Sequence, residues 1–304
     1  RQRQMCIRDS GMGADFYENS EIARYIFDQA GEELDLDMKE LCFEENDRLD
    51  LTEYTQAAMV TTCLAMTRVA ESKGLKADIT SGLSLGEYPA IAAAGGMNDM
   101  DAIRLVRKRG ILMQNTVPAG EGAMCAVISM AAEEIEKVIE PIADVSVANY
   151  NCPGQIVITG KTDAVEEAAA KLKEAGARRT IMLNVSGPFH SQMLVPAGEK
   201  LAEELEHTRF HELRIPYVTN VTAEKVTDIR ETPGLLTTQI SSPVRWMQSM
   251  ERMIADGVDT FVEIGPGKTL EGFLRKIDRS VKVFHISQWE DVDKVCEELA
   301  DGGN

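Results

Sequence analysis

Apolar residues recur at helical spacing in several long stretches of the chain. The stretch that begins at Thr52, which we expect to cap a helix, runs to about Ser72 and is followed by Gly74. It is rich in helix-forming residues and predicts one long helix closed by the glycine. Amphipathic helices are also predicted over 99–115, 195–206 and 243–256.

Short apolar runs between these helices predict β-strands. They lie at about 77–80, 217–220 and 260–264. Strands that alternate with helices are typical of an α/β fold with a parallel sheet. We therefore expect a large α/β-hydrolase-like domain with a parallel sheet, formed by residues 11–117 and 185–304.

The pattern changes between residues 118 and 184. Here strands and helices follow one another in the order β-α-β-β-α-β, with a Pro153-Gly154 turn between the two central strands. This order is typical of a ferredoxin-like α+β unit. We expect a small ferredoxin-like domain inserted into the larger one. Residues 1–10 have no periodicity, and we predict that they are foreign to the native protein.

Composition and charge narrow the classes of function. The chain has 304 residues, of which 44% are hydrophobic, and a formal net charge of −18. Such a charge repels nucleic acid and anionic membranes, and no apolar run is long enough to span a bilayer. Even an acidic protein partner would need a local basic patch. We expect a cytoplasmic monomer.

The cysteines do not suggest a metal site or a disulfide framework. The six of them are scattered along the chain without a CxxC pair or a regular spacing. Zinc sites and disulfide-rich folds both require recurring spacings. We therefore expect no metal and no bound cofactor.

One motif carries candidate chemistry. Residues 82–86 read Gly-Leu-Ser-Leu-Gly between a predicted strand and a predicted helix. A G-x-S-x-G segment in that position is a nucleophile elbow, with the serine exposed on a tight strand-to-helix turn. Ser84 is therefore the candidate nucleophile, and the N–H of Leu85 can donate to an oxyanion.

A serine nucleophile needs a base, and the chain has four histidines. His207 and His211 lie in a polar stretch that is typical of the surface. His285 ends a predicted strand. His190 lies in a loop directly after a strand, where catalytic groups tend to gather. The sequence favours His190 as the base and leaves His285 as the alternative.

A basic helix supplies a candidate anion-binding group. Arg104, Arg107, Lys108 and Arg109 lie on the helix predicted over 99–115. A dicarboxylic acyl group requires a guanidinium that can bind its free carboxylate through two hydrogen bonds. The residues alone do not distinguish Arg109 from its neighbours.

Several motifs together resemble a known family. They appear in the same order as in bacterial malonyl-CoA:acyl carrier protein transacylases, and the resemblance runs from about Gly11 into the C-terminal region. The segments that carry it are 81–88 (SGLSLGEY), 109–114 (RGILMQ), 117–124 (VPAGEGAM), 149–155 (NYNCPGQ), 187–190 (GPFH) and 263–268 (EIGPGK).

The resemblance implies transfer of a malonyl group from malonyl-CoA to the phosphopantetheine thiol of acyl carrier protein. It implies Ser84 as nucleophile, His190 as base and the backbone carbonyl of Gln239 as the group that orients His190. For substrate binding it implies Arg109 on the malonyl carboxylate, and Gln56, Met113, Phe189 and Asn151 along the site. Phe189 matches the form associated with malonyl rather than methylmalonyl selection.

The chain departs from the family at two places. Leu83 stands before the nucleophile where the family usually has histidine. The family also begins with a strand and a Gly-Gln-Gly segment whose backbone N–H supplies half of the oxyanion hole, and residues 1–10 do not contain it. We predict that the chain is catalytically impaired or unstable, because it lacks this donor and this strand; losing one oxyanion donor typically lowers the rate by about 10²–10³.

Three other functions remain open at this stage. A serine hydrolase would use the same elbow with a late histidine such as His285. An acyltransferase that serves a polyketide synthase would have nearly the same motifs. A catalytically inactive acyl-binding protein would keep the fold without the chemistry.

Overall fold

The computed structural model describes residues 11–301, which form helices and strands in alternation. The α-helices are α1 (Ala14–Asn19), α2 (Glu21–Leu34), α3 (Met38–Phe43), α4 (Thr52–Ser72), α5 (Glu87–Ala93), α6 (Asp99–Thr116), α7 (Ala132–Ile139), α8 (Thr162–Glu174), α9 (Val195–Glu206), α10 (Thr232–Gln239), α11 (Trp246–Ala255), α12 (Thr269–Ile277) and α13 (Trp289–Asp301). Single 3-10 turns lie at Asp47–Asp50, Ser84–Gly86, Gln192–Leu194 and Ile229–Glu231.

The strands form three separate sheets within the described residues. They are β1 (Thr80–Ser81), β2 (Gly122–Ile128), β3 (Val145–Cys152), β4 (Gln155–Lys161), β5 (Arg179–Met182), β6 (Tyr217–Val218), β7 (Lys225–Val226), β8 (Thr260–Ile264) and β9 (Lys282–Ile286). The sheet orders are β1-β6-β7, β3-β4-β2-β5 and β8-β9.

Among the described residues, the parallel sheet expected outside 118–184 is present only in part. β1 pairs with β6 in parallel, but β6 pairs with β7 antiparallel, and β8 and β9 form a parallel pair of their own. β1 has only two residues because the chain turns into the Ser84 elbow directly after it. Strands this short form few ladder hydrogen bonds, and among residues 11–301 the strands fall into separate sheets.

The long helices agree closely with the sequence pattern. α4, α6 and α9 occupy 52–72, 99–116 and 195–206. Gly74 takes the left-handed conformation after α4, with a φ of 99°, as expected of a glycine that closes a helix. Thr52 is not the cap: Leu51 holds that position, and the Thr52 hydroxyl contacts that of Ser186. The helix predicted from 243 begins at Trp246 because Val244 bridges to β3.

The region from β2 to β5 has the predicted order β-α-β-β-α-β. All three strand pairings in its four-stranded sheet are antiparallel. α7 and α8 cover one face, where Ile135 and Val165 are fully buried against Ile158 of β4. β3 also joins the rest of the chain, since Tyr150 and Ala148 exchange backbone hydrogen bonds with Val244 at 2.9 and 2.8 Å.

The first and last helices of the described residues, α1 and α13, were not predicted from the sequence pattern. The Asp15 carboxylate at the start of α1 accepts the backbone N–H of Trp289 at 2.5 Å. The rings of Phe16 and Trp289 meet edge to face with 5.7 Å between their centroids. These contacts attach α13 to the helical layer that contains α2, α4 and α6. No helix within 11–301 is long and apolar enough to cross a membrane.

Candidate active site

Ser84 lies on a sharp turn between β1 and α5. Its backbone is in the left-handed region with a φ of 52°, a conformation that costs a non-glycine residue on the order of 1–3 kcal/mol. A Cβ on Gly82 would lie 1.9 Å from the carbonyl oxygen of Gly86, so position 82 accepts only glycine. Gly86 itself has open space around its Cα and a negative φ. Of the two glycines in the motif, only the first is required sterically.

His190 lies in the loop after β5, and its side chain is buried beside Ser84. Its Nε2 is 2.7 Å from the Ser84 Oγ, and its Nδ1 is 2.9 Å from the backbone carbonyl oxygen of Gln239. A carbonyl oxygen can only accept, so Nδ1 carries the proton and Nε2 presents a lone pair to the serine hydroxyl. This is the tautomer that can remove a proton from Ser84. His190 also has a left-handed backbone, with a φ of 61°.

The surroundings of His190 keep the imidazole neutral. Burial, the larger cause, and the nearby positive charge of Arg109 together lower the pKa of His190 to about 4, against the hydrogen bond to the Gln239 carbonyl. The uncharged ring is therefore the dominant form at neutral pH. No carboxylate assists it at Nδ1, unlike the base in a Ser-His-Asp triad.

Arg109 points from α6 into the same site and is 1% exposed. Its guanidinium donates to neutral acceptors: Gln56 Oε1 at 2.8 Å, Gln239 Oε1 at 3.1 Å and Ser84 Oγ at 3.2 Å. Its Nε is buried without a partner among residues 11–301. Burial lowers the pKa of Arg109, although arginine remains charged in proteins. A buried cation that is hydrogen-bonded to neutral groups is suited to receive an anion.

Gln56 holds the guanidinium in place, and Met113 in turn accepts a hydrogen bond from Gln56. Gln56, on α4, accepts from Arg109 through Oε1 and donates its Nε2–H to the Met113 sulfur at 3.4 Å. Both side chains are buried. Gln56 therefore contacts Arg109 directly and Met113 contacts Gln56, and neither residue is hydrogen-bonded to Ser84 in the described chain.

Leu85 follows the nucleophile in the 3-10 turn that leads into α5. At the start of a helix its N–H has no intrahelical carbonyl to donate to, so it can donate a hydrogen bond to an oxyanion. The N–H of Ser84 cannot, because it donates to Asn220 Oδ1 at 2.6 Å. The predictions on the origin of residues 1–10 and on the missing oxyanion donor lie outside the described residues. Just after them, the N–H groups of Gly11 and Met12 donate to the Cys42 carbonyl.

The remaining predicted residues differ in their distance from this centre. Phe189 adjoins His190 and packs against two apolar clusters. Asn151 is buried on β3, and within 11–301 no hydrogen bond joins it to the other predicted site residues. His285 pairs with Glu271 at 3.0 Å and not with Ser84, so the hydrolase alternative that uses His285 as base is wrong. The described residues contain no cluster of side chains suited to a metal ion.

Two further residues contact the elbow and were missed in the sequence. Asn220 accepts the Ser84 N–H and donates to the Gly82 carbonyl at 2.7 Å. Glu87, the first residue of α5, accepts from Gln239 Nε2 at 2.7 Å. A signal for Asn220 was available: it follows β6, the parallel neighbour of β1, and the carboxyl ends of parallel neighbours meet at one edge of a sheet.

The geometry defines an acyl-transfer centre. A serine hydroxyl lies against a neutral imidazole, a helix N-terminus lies behind it, and a buried guanidinium lies 3.2 Å from the hydroxyl oxygen. These are the parts needed to form an acyl-serine from an acyl group that carries a negative charge. The fold and the site thus define a serine acyltransferase.

Comparisons with known proteins agree with this class and narrow it. Residues 8–289 match the family described as the acyl transferase domain. The malonyl CoA-acyl carrier protein transacylase of Bacillus subtilis is 42% identical over 95% of this chain and 93% of its own length. The chain belongs to the family of malonyl-CoA:acyl carrier protein transacylases, as the sequence motifs predicted.

Solved structures of the family have the same fold. The malonyl CoA-acyl carrier protein transacylase from Clostridium perfringens aligns with a TM-score of 0.93 and 42% identity over 97% of this chain and 94% of that one. A malonyl-transacylase in complex with a type II polyketide synthase acyl-carrier protein aligns with a TM-score of 0.92 and 36% identity over 95% and 96% of the two chains. The mixed α/β fold is therefore that of the family.

Proposed function

We propose that this chain transfers the malonyl group of malonyl-CoA to the phosphopantetheine thiol of acyl carrier protein through a malonyl-Ser84 ester. The observation that carries the proposal is the buried guanidinium of Arg109, which has neutral partners and lies 3.2 Å from the Ser84 Oγ. The names of the relatives support the same reaction.

The first half-reaction forms the ester. Nε2 of His190 takes the proton of the Ser84 hydroxyl while Oγ attacks the thioester carbonyl carbon of malonyl-CoA. A negative charge develops on the carbonyl oxygen, which accepts a hydrogen bond from the Leu85 N–H at the start of the helical turn. The carbon–sulfur bond breaks, the thiolate of coenzyme A takes the proton from His190, and free coenzyme A leaves.

The second half-reaction reverses these roles. The phosphopantetheine thiol gives its proton to the same Nε2 of His190, and its sulfur attacks the ester carbonyl. Ser84 Oγ is then the leaving group and recovers the proton. No redox step or external proton source is required, and the substrates are the only small molecules that the cycle needs.

The position of Arg109 favours a short dicarboxylic acyl group. In a malonyl-serine ester the free carboxylate carbon lies roughly 3–4 Å from the ester oxygen by ordinary bond lengths. A guanidinium 3.2 Å from Ser84 Oγ is therefore within direct reach of that carboxylate. An acetyl group has no carboxylate, and the carboxylate of a longer diacid would extend past the guanidinium.

Phe189 and Asn151 are assigned supporting roles in this proposal. Phe189 lies beside His190, where a bulky ring would restrict branched acyl groups such as methylmalonyl. Asn151 would line the route of the acyl chain from β3. The carrier is that of fatty acid synthesis; a polyketide carrier is the second candidate, because one structural relative is bound to such a protein.

The same proposal includes the division of the chain. Residues 11–117 and 185–304 form an α/β-hydrolase-like catalytic domain, and 118–184 form the ferredoxin-like domain. The antiparallel order β3-β4-β2-β5 supports the second assignment, because a ferredoxin-like sheet has its two central strands contributed by the first and third of its four. A cytoplasmic location and a monomeric state remain predictions.

Mass spectrometry of the intact protein tests the reaction. Wild-type protein is mixed in turn with malonyl-CoA, methylmalonyl-CoA and acetyl-CoA, and peptide mapping locates any added mass. We expect a malonyl adduct on Ser84 that Ser84→Ala abolishes. Arg109→Ala should slow malonylation about 100-fold, equivalent to roughly 3 kcal/mol for a buried charge pair that loses one partner.

Arg107→Ala is the matched control. Arg107 lies on the same helix two residues earlier, and its guanidinium pairs with Glu53 at 2.7 Å. Its loss should leave malonylation within about threefold of wild type, because a partly exposed ion pair contributes little. Equal loading of acetyl and malonyl groups, unchanged by Arg109→Ala, would contradict the proposal. If water removes the acyl group from Ser84 and none of it reaches carrier protein, the result would favour a hydrolase.

A further inference from the structure

A buried carboxylate lies directly behind the reacting residues. Glu87 is fully buried at the first position of α5, three residues after the nucleophile. Its Oε2 accepts hydrogen bonds from Nε2 of Gln239 at 2.7 Å and from the backbone N–H of Asn220 at 3.3 Å. It touches neither Ser84 nor His190 through a hydrogen bond, and the proposed reaction does not use it.

Both partners of Glu87 hold reacting residues. Asn220 accepts the N–H of Ser84 at 2.6 Å through its side chain. Gln239 accepts the Nδ1–H of His190 at 2.9 Å through its backbone carbonyl, and its Nε2 donates to the Ser84 carbonyl at 2.9 Å. The two residues that fix the nucleophile and the base are therefore attached to one carboxylate.

The chemistry of a carboxylate fits this position. The side-chain amide of Gln239 can face either way, and only one orientation directs Oε1 at the Arg109 guanidinium, 3.1 Å away, and Nε2 at Glu87. An acceptor at position 87 selects that orientation; the opposite one would direct an N–H at a cation. Burial raises the pKa of Glu87 to about 7, but Oε2 can accept in either protonation state because a proton can reside on Oε1.

We infer that Glu87 is a positioning residue that fixes Gln239 and Asn220, and through them the relative placement of the Ser84 hydroxyl and the His190 ring. The inference rests on the proposed function only where it predicts an effect on malonyl transfer. The geometric role applies to any reaction of Ser84.

The test compares two substitutions of nearly equal size. Glu87→Gln keeps an oxygen that can accept from Gln239, whereas Glu87→Met fills the space without such an acceptor. Two rates are measured per folded protein: malonyl-Ser84 formation over a range of malonyl-CoA concentrations, and labelling of Ser84 by a neutral fluorophosphonate. Thermal unfolding and circular dichroism give the folded fraction.

We expect Glu87→Met to lower the maximal acylation rate and the labelling rate in parallel, by about 100-fold, with the half-saturating concentration within about threefold of wild type. Glu87→Gln should stay within about tenfold of wild type on both measures. The matched control is Glu263→Gln, a half-buried carboxylate that accepts two backbone N–H groups of α12 and has no hydrogen bond to the site residues within 11–301. It should change only thermal stability.

A double-variant comparison separates positioning from general destabilisation. If Glu87 acts through Gln239, adding Glu87→Met to Gln239→Met should slow labelling by much less than it does in wild type. Multiplicative effects, or wild-type labelling by folded Glu87→Met, would overturn the inference. Failure of the proposed function looks different: wild type would react with the fluorophosphonate yet gain no malonyl mass, and the labelling rates would still decide the role of Glu87.

Discussion

The low pKa of His190 can be tested by measuring how the reaction rate falls at acidic pH, which is the acid limb of the pH–rate profile. Burial and the charge of Arg109 lower the pKa of His190 to about 4. At pH 5 about 90% of such an imidazole is neutral, whereas about 3% would be neutral at the ordinary pKa of roughly 6.5. The rate at pH 5, as a fraction of the plateau rate, is therefore about 30-fold higher with the lowered pKa than with the ordinary one.

The assay is the second-order rate of Ser84 labelling by a neutral fluorophosphonate from pH 4 to pH 8. A neutral probe is required because the carboxylate of malonyl-CoA could titrate and would interact with Arg109. At low probe concentration this rate reports the ionisation of the free enzyme. We expect the rate to stay near its plateau down to about pH 5 and to fall by half near pH 4.

Arg109→Met provides the internal control. Removing the positive charge should move the midpoint upward, but not as far as 6.5, since burial is the larger cause of the shift and remains. A midpoint near 6.5 in wild-type protein would refute the reasoning, because it would mean that the ring is solvated or paired with a charge. So would a midpoint that Arg109→Met leaves unchanged.

The remaining predictions concern stability. Gly82→Ala places a Cβ 1.9 Å from a backbone oxygen and should lower the free energy of unfolding, measured in urea, by more than about 3 kcal/mol, whereas Gly272→Ala, inside α12 with open space around it, should raise it by about 0.5–1 kcal/mol. The raised pKa of Glu87 makes folding less stable as pH rises from 4.5 to about 7, and the lowered pKa of His190 makes it more stable as pH rises from about 4 to 6.5. Each effect amounts to roughly 3 kcal/mol at most, and they oppose each other. In Glu87→Gln only the His190 effect remains, so the free energy of unfolding should rise with pH from about 4 to 6.5. The same pH dependence in wild type and Glu87→Gln would refute the raised pKa of Glu87.

The helical part of the fold was predictable because its signals are local. α4, α6 and α9 have long apolar patterns, and a glycine or a change of polarity marks where they end. The division of the strands within 11–301 into three sheets was not predictable, because β1, β6 and β7 have two residues each and their pairing depends on distant segments. Nothing local distinguishes such a strand from a turn.

The sequence analysis did not separate Arg109 from its three basic neighbours, although the apolar pattern of α6 contains a signal that does so. Arg109 continues the buried stripe of α6, in which Ala102, Leu105, Val106 and Met113 recur at helical spacing. Arg104, Arg107 and Lys108 lie off that stripe and pair with acidic residues. A cation at a position where the pattern demands an apolar side chain is itself a signal of function.

Glu87 could not be assigned in the same way. A carboxylate in the first turn of a helix is common and stabilises the helix dipole, so the sequence offers an ordinary explanation for it. Its partners Asn220 and Gln239 lie more than one hundred residues further along the chain. Only the folded chain brings a carboxylate, an amide and a backbone carbonyl together.

The neutral carbonyl behind His190 suits an anionic acyl group. A carboxylate at that position would place a second negative charge beside the malonyl carboxylate, whereas the Gln239 carbonyl does not. A bound carboxylate would cancel part of the Arg109 charge that lowers the pKa of His190. The ring would then become a stronger base only when the charged acyl group is present. On this argument, the acid limb measured with saturating malonyl-CoA lies at higher pH than the limb measured with the neutral probe. Coincident limbs would mean that Arg109 selects the substrate by binding alone.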